Sequence, residues 1–267
     1  MMCRVYGVTR AGYYAWRRRD CSDRDKSNAR LAEQIRRAHQ SSRGTYGSPR
    51  IYRALRNQGC KASENRVARL MQKHGIKARV ATIRYTSPGM QRYYALIPNV
   101  ECDVPLTSPD QVWVGDITYL KVGAIYRYLA VVMDKYSRRV IGWAYGQRKD
   151  VALTLKALNR AVRYRKPPRG LIFHSDRGVE YAAGAFKARL AELGITQSMN
   201  RPGKVTDNAY IESFFHSMKS EIYHGLHFDE DQQMRAALRD YMPFYNRGRL
   251  HSSLNYVSPA TYEQQVR

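Results

Sequence analysis

Between residues 111 and 146 the chain carries three runs rich in β-branched and aromatic residues with short turns between them. After residue 150, helix-like and strand-like runs alternate. Strands are expected at about 111–122, 126–134, 138–146, 170–174 and 195–199. Helices are expected at 150–165, at 181–193 and across the stretch that contains Glu212. Three antiparallel strands followed by alternating helix and strand predict an α/β fold, a mixed five-stranded sheet with helices on its faces.

Three acids fall at telling places in this pattern. In Val112-Trp-Val-Gly-Asp116-Ile-Thr-Tyr-Leu120, alternation puts Asp116 on one face with Val112, Val114, Thr118 and Leu120. An acid in such a run is costly to bury unless something compensates it. Leu171-Ile-Phe-His174-Ser-Asp176-Arg-Gly178 is a short apolar strand entering a turn, which sets Asp176 at a strand's carboxyl end, where open α/β sheets place their chemistry. In Asp207-Asn-Ala-Tyr-Ile-Glu212-Ser-Phe-Phe-His216-Ser-Met-Lys219, the residues Ile211, Phe214, Phe215, Met218 and Ile222 recur at helical spacing. Glu212, His216 and Lys219 share another face of that helix. Acids from a strand, a strand end and a helix make an oxygen-rich site for hard divalent cations, and such a site suits phosphoryl transfer.

Two rival carboxylates have simpler uses. Asp134, before the turn Lys135-Tyr-Ser137, is expected to cap that turn. Asp207 is expected to cap the helix that follows it.

The wording Asp116-Ile-Thr-Tyr, His174-Ser-Asp176-Arg-Gly and Asp207-Asn-Ala-Tyr-Ile-Glu212-Ser-Phe-Phe, with 35 residues between Asp176 and Glu212, resembles the Asp-Asp-Glu core of retroviral integrases. It is similar above all to the second-frame (OrfB) transposases of two-frame bacterial insertion sequences, and the similarity runs over about residues 3–265. The resemblance implies a ribonuclease-H-like core that cuts DNA at the element's terminal inverted repeats and transfers the freed 3′-hydroxyl to target DNA. It implies Mg²⁺ as cofactor, two ions per site with Mn²⁺ able to substitute. Asp116 would bridge the two ions, and Asp176 and Glu212 would each complete one coordination shell. Double-stranded DNA is the implied partner, bound by a homo-oligomer. An upstream-frame protein, or a fusion with it, would supply a further helix-turn-helix and a dimerising helix. A polypeptide that begins at Met1 without them is expected to be half of the working enzyme. A hydrolytic nuclease of the same fold and an inactive DNA-binding regulator are the alternative functions.

Charge agrees with a polyanionic partner. The net charge is +24, of which +17 lies in residues 1–100 and +7 in the remainder. The four cysteines, Cys3, Cys21, Cys60 and Cys102, are scattered without a Cys-x-x-Cys pair. That argues against a structural zinc or a disulfide framework and fits a reducing compartment. His224 and His227 lack cysteine partners at zinc-finger spacing. The longest strongly apolar run, Leu129 to Met133, is far short of the roughly 20 residues a bilayer requires, so a soluble, cytoplasmic, nucleoid-associated protein is expected.

Five regions are expected in order. Residues 1–24 interleave aromatics with arginines, suiting either base stacking or packing on a neighbour. Residues 25–80 read as three helices, at about 25–40, from Ser48-Pro49 to Gly59, and from Ser63 to Gly75, a helix-turn-helix-like domain. Its Arg50, Arg53, Arg66 and Arg69 are candidate DNA contacts, or else a solvated basic face. Residues 81–110 read as a proline-bearing linker and 111–228 as the catalytic core. Residues 229–267 add a helix at 229–245 and a tail in which Leu250, Leu254 and Tyr256 pack, or Arg247, Arg249 and His251 meet DNA. Lys219, His216, Asn208, Arg177, Arg201 and Lys204 are the candidate DNA contacts nearest the acids. His174 and Arg177 could instead orient Asp176. The loop of residues 200–206 is expected to order on substrate.

Overall fold

The computed structural model describes residues 2–5, 7–18, 22–79, 97–100, 104–201, 208–223 and 226–266. Lys204, Asp207, residues 202–206 of the expected loop, Cys21, Cys102, His224 and residues 81–96 and 101–103 of the expected linker lie outside them. The chain forms two compact units, Met1–Ala78 and Arg79–Arg267.

The first unit is all helical: α1 (Met2–Val5), α2 (Arg10–Arg17), α3 (Asp23–Ser41), α4 (Ser48–Asn57) and α5 (Glu64–Lys73). No residue of α2 is buried and Trp16 is 66% exposed, so the packing role considered for these aromatics is not what they do within this unit. Helix α3 starts two residues before the expected point because the Ser22 side chain accepts from Asp25 N. Ser63 caps α5 in the same way, accepting from Arg66 N. Ser48 is not the cap of α4. Gly47 takes that position without a side-chain bond, and Ser48 is already helical. Gly59 and Gly75, at φ +83° and +65°, end α4 and α5 in the left-handed region open to glycine. Ile35, Ile51 and Val67, one from each long helix, are fully buried together with Leu55.

The second unit is built on a five-stranded sheet in the order β3-β2-β1-β4-β5, with β1 (Val112–Val122), β2 (Ile125–Asp134), β3 (Val140–Gly146), β4 (Ile172–Ser175) and β5 (Thr196–Met199). β1 runs antiparallel to β2 and parallel to β4, so the sheet is mixed and β1 lies at its centre. α6 (Val151–Arg165), α7 (Val179–Ala182) and α8 (Gly184–Glu192) pack on the face that carries Trp113, Val132 and Phe173. The expected single helix over 181–193 is divided at Ala183, whose extended ψ of 140° interrupts it.

The opposite face, with Val114, Leu120 and Val131, is covered by α9 (Ala209–Tyr223) and α10 (Asp231–Pro243). Burying Ile211, Phe214, Phe215, Met218 and Ile222 of α9 contributes on the order of 10 kcal/mol before chain entropy is set against it. α10 begins with a capping box between Glu230 and Gln233 and opens after Pro243 into a π turn over Phe244–Gly248.

A last helix, α11 (Pro259–Val266), inserts Glu263 between Arg139 and Arg165 and accepts from Ser137 Oγ at 2.7 Å. Within the expected linker, Pro98 and Val100 bond to β5 through Met199 N and Ser198 Oγ, at 3.3 and 3.2 Å. Among the described residues no helix is long and apolar enough to cross a membrane.

Candidate active site

The central strand places Asp116 opposite Val131 of β2 on the face that α9 covers. The preceding residue must be glycine. A Cβ on Gly115 would lie 2.4 Å from Phe173 Cζ, so the ring presses directly on the β1 backbone. Asp116 is half-buried, and its Oδ1 accepts from Ile117 N at 2.6 Å.

Parallel pairing of Gly115 with Ser175 brings the end of β4 alongside, and Asp176 follows directly, with its Oδ1 accepting from Gly178 N at 3.1 Å. Glu212 comes from the first turn of α9 and is exposed. The three carboxyls act on one another. Burial, then Asp176, then Glu212 push Asp116 well above the usual carboxylate range. Burial raises Asp176, and burial followed by Asp176 raises Glu212.

Among the described residues no three side chains of His, Cys, Asp or Glu converge closely enough to hold a metal ion unaided. The donor chemistry nonetheless fits a hard divalent cation. Three carboxyls held above their ordinary pKa are incompletely compensated by the cations near them, and Mg²⁺ completes its shell with water and substrate oxygens rather than an all-protein cage.

Around the acids the candidate contacts divide. Lys219 is buried, its Nζ 4.2 Å from the centre of the Tyr119 ring, and burial pulls its pKa down to about 8 against the opposing pull of Asp116. Asn208 is buried with neither amide atom hydrogen-bonded, an arrangement that normally signals a missing partner. His216 and Arg201 are exposed.

Arg177 is turned inward, with Nε donating to Asn200 O at 2.6 Å and a longer bond reaching Ile97 O. His174 is fully buried between Ser198 Oγ at 2.9 Å and Asn200 Oδ1 at 2.7 Å, tying β4 to β5 beneath Asp176. Asp134 is buried at its turn, accepting from Ser137 N at 2.8 Å and Asp110 N at 2.7 Å, the structural use expected of it. Two nearby groups escaped the sequence reading. Glu180 is buried four residues beyond Asp176, in α7, and Lys149 reaches it from the residue before the α6 cap. The four-residue spacing from Asp176 was the only signal for Glu180, and Lys149 had none.

In the first unit, Arg50 and Arg53 lie over the rings of Tyr46 and Tyr52. Arg66 is spent internally, donating to Asn28 Oδ1 at 2.8 and 3.0 Å and to Ser27 Oγ at 2.9 Å. It walls a cavity of about 430 Å³ that Arg24, Arg69 and Lys73 also line. In the tail, Arg249 is buried against Glu221 rather than presented to DNA, because only an inward carboxylate compensates a guanidinium that is 3% exposed.

A five-stranded mixed sheet with acids on its central strand, the adjoining strand end and a covering helix defines the integrase class of polynucleotidyl transferases. Family comparison agrees. The integrase core domain matches residues 107–205, a second integrase core family matches 212–266, and an HTH-like domain matches 26–84. The transposase InsF for insertion sequence IS3A of Escherichia coli (strain K12) is 38% identical over 270 residues, covering 99% of this chain and 93% of the relative. An uncharacterized 31 kDa protein of insertion element IS600 from Shigella sonnei is 36% identical over 267 residues, covering 99% and 98%. The simian T-cell lymphotropic virus intasome, solved in complex with a PP2A regulatory subunit, shares the fold. Its TM-score is 0.53 at 17% identity, over 86% of this chain and 74% of that one. The chain belongs to the InsF-type transposase family of insertion sequence IS3 and is a DNA transposase with an integrase core.

Proposed function

We propose that Asp116, Asp176 and Glu212 are the catalytic acids, which would hold two Mg²⁺ ions, and that this transposase cuts DNA at terminal inverted repeats and joins the freed end to a target. What carries the reading is the mutual charge of three acids delivered by β1, the end of β4 and α9. Divalent ions bound there would neutralise the phosphodiester and activate the attacking oxygen.

The remaining roles belong to the chain. Lys219, inward and near the acids, would hold a phosphate beside them, where the anion would stabilise an ammonium that burial disfavours. Asn208 would give its unsatisfied amide to the DNA or to a carboxylate, one turn before Glu212. Exposed His216 and Arg201 would contact the strand further out. Arg50, Arg53 and Arg69 of the HTH-like unit would take the phosphate backbone of the end sequence. Joining two ends calls for at least two such chains on DNA, with the upstream-frame region supplied by a partner or by fusion.

The test is a Mg²⁺-dependent cleavage and strand-transfer assay on DNA bearing the flanking repeats, comparing wild type with Glu212→Gln, each fused to the upstream region. Joined products that vanish in the variant are expected. Cleavage without joining would point instead to a hydrolytic nuclease, and DNA binding without cleavage to a regulator.

A further inference from the structure

Beside Asp176 stands an acid that the catalytic roles leave unused. Glu180 lies on α7 and is 6% exposed. Its Oε1 is 3.7 Å from Lys149 Nζ, and its Oε2 is buried without a hydrogen-bond partner. The point that a Gly178 Cβ would occupy is 2.9 Å from Asp176 Oδ1 and 3.0 Å from Glu180 Oε2, so two carboxylates crowd one side of this glycine. A larger residue at position 178 would have to displace one of these carboxylates.

A buried carboxylate oxygen without a donor is costly, and a like charge beside it adds to the cost. The Lys149 contact does not offset this. The lysine side chain is 47% exposed and the separation exceeds that of a good charge-assisted hydrogen bond.

We infer that Glu180 is a fourth carboxylate of the divalent-cation site, acting beside Asp176 directly or through a bridging water, with Lys149 as its counter-charge when no ion is bound. The inference rests on the assignment of Asp116, Asp176 and Glu212 made above. Mg²⁺ and Mn²⁺ are the cations that oxygen donors of this kind take.

The experiment is Mn²⁺ titration of the full chain without DNA, followed by electron paramagnetic resonance, on wild type, Glu180→Gln, Glu180→Asp and Asp116→Asn. Thermal melting of the same proteins with and without Mg²⁺ accompanies it. Glu180→Gln is expected to weaken Mn²⁺ binding about tenfold, and Glu180→Asp to regain part of it. Glu180→Gln should melt no lower than wild type without metal and be stabilised less by Mg²⁺. Wild-type Mn²⁺ affinity in Glu180→Gln, with the affinity lost in Asp116→Asn, would overturn the inference alone. A melting temperature lowered equally with and without Mg²⁺ would do the same, since that is the mark of a structural anchor. Wild-type affinity in Asp116→Asn as well would overturn the catalytic assignment and this inference together.

Discussion

Arg249 grips Glu221 with two nitrogens, Nε at 2.9 Å and Nη2 at 2.7 Å from the same Oε1, while Tyr241 donates to Oε2 at 2.9 Å. Both charged side chains are almost wholly withdrawn from water, so α9, α10 and the tail are locked by one desolvated pair. Removing one partner strands the other. Arg249→Ala is expected to cost about 3 kcal/mol or more, lowering the melting temperature by roughly 10 °C. Scanning calorimetry checks this. An unchanged melting temperature with weakened DNA binding would restore the DNA-contact role for Arg249.

Asp116→Asn should abolish cleavage, by on the order of 10³-fold or more, and yet stabilise the metal-free protein at neutral pH. The substitution removes a like charge from a crowded and partly buried set. Lower stability without metal would contradict the electrostatic picture of the site.

The pH dependence follows from the same three acids, whose folded pKa values all lie above their ordinary ones. Between the ordinary and the raised values the metal-free folded state holds more protons than the unfolded state. Stability therefore falls as pH rises through that window. Cations relieve the repulsion only where the acids have ionised. Mg²⁺ should thus raise the melting temperature more at about pH 7.5 than at about pH 5. An equal rise at both would count against binding by these carboxylates.

Lys219 has the opposite sign. Its folded pKa of about 8 lies below the ordinary 10.5, so the unfolded state binds the proton more tightly. The resulting penalty is full below about pH 8 and is relieved as pH climbs towards 10.5. Lys219→Met is expected to melt higher than wild type at neutral pH, to lose that alkaline rise and to join DNA ends poorly. Normal joining would leave the lysine without the phosphate role proposed for it.

Arg66 and Arg69 should separate in the HTH-like unit. Arg66 braces α5 to α3 through Ser27 and Asn28, so Arg66→Ala is expected to destabilise the unit. Exposed Arg69 leaves the fold alone, and Arg69→Ala should weaken end binding across sequences and reduce the salt slope by about 1. Melting curves and salt-dependent binding isotherms distinguish the two.

Much of the catalytic unit was legible because strand alternation is strict. Once Val114 and Leu120 face inward, Asp116 shares their face, and α9 declares its buried side through Ile211, Phe214, Phe215 and Met218. The basic tail was not legible. An arginine looks alike in sequence whether it meets DNA or a buried acid, and Glu221 lies 28 positions from Arg249. Glu180 was missed for the same reason. An acid in a short helix reads as a surface charge until tertiary packing closes over it.

The pairing of β1 with β4 through Gly115 and Ser175 has a kinetic consequence. Asp116 and Asp176 become neighbours only after two further strands and a crossover helix have been threaded between them. Closing so long a loop costs entropy before any contact compensates it, which makes the pairing a slow, global event rather than a local one. A fragment without β4, or a folding intermediate in which β4 has not yet paired with β1, does not bring these acids together. With Asp116 and Asp176 in the catalytic roles proposed for them, a chain in which that pairing has not yet formed would carry no cutting activity to turn against the DNA around it.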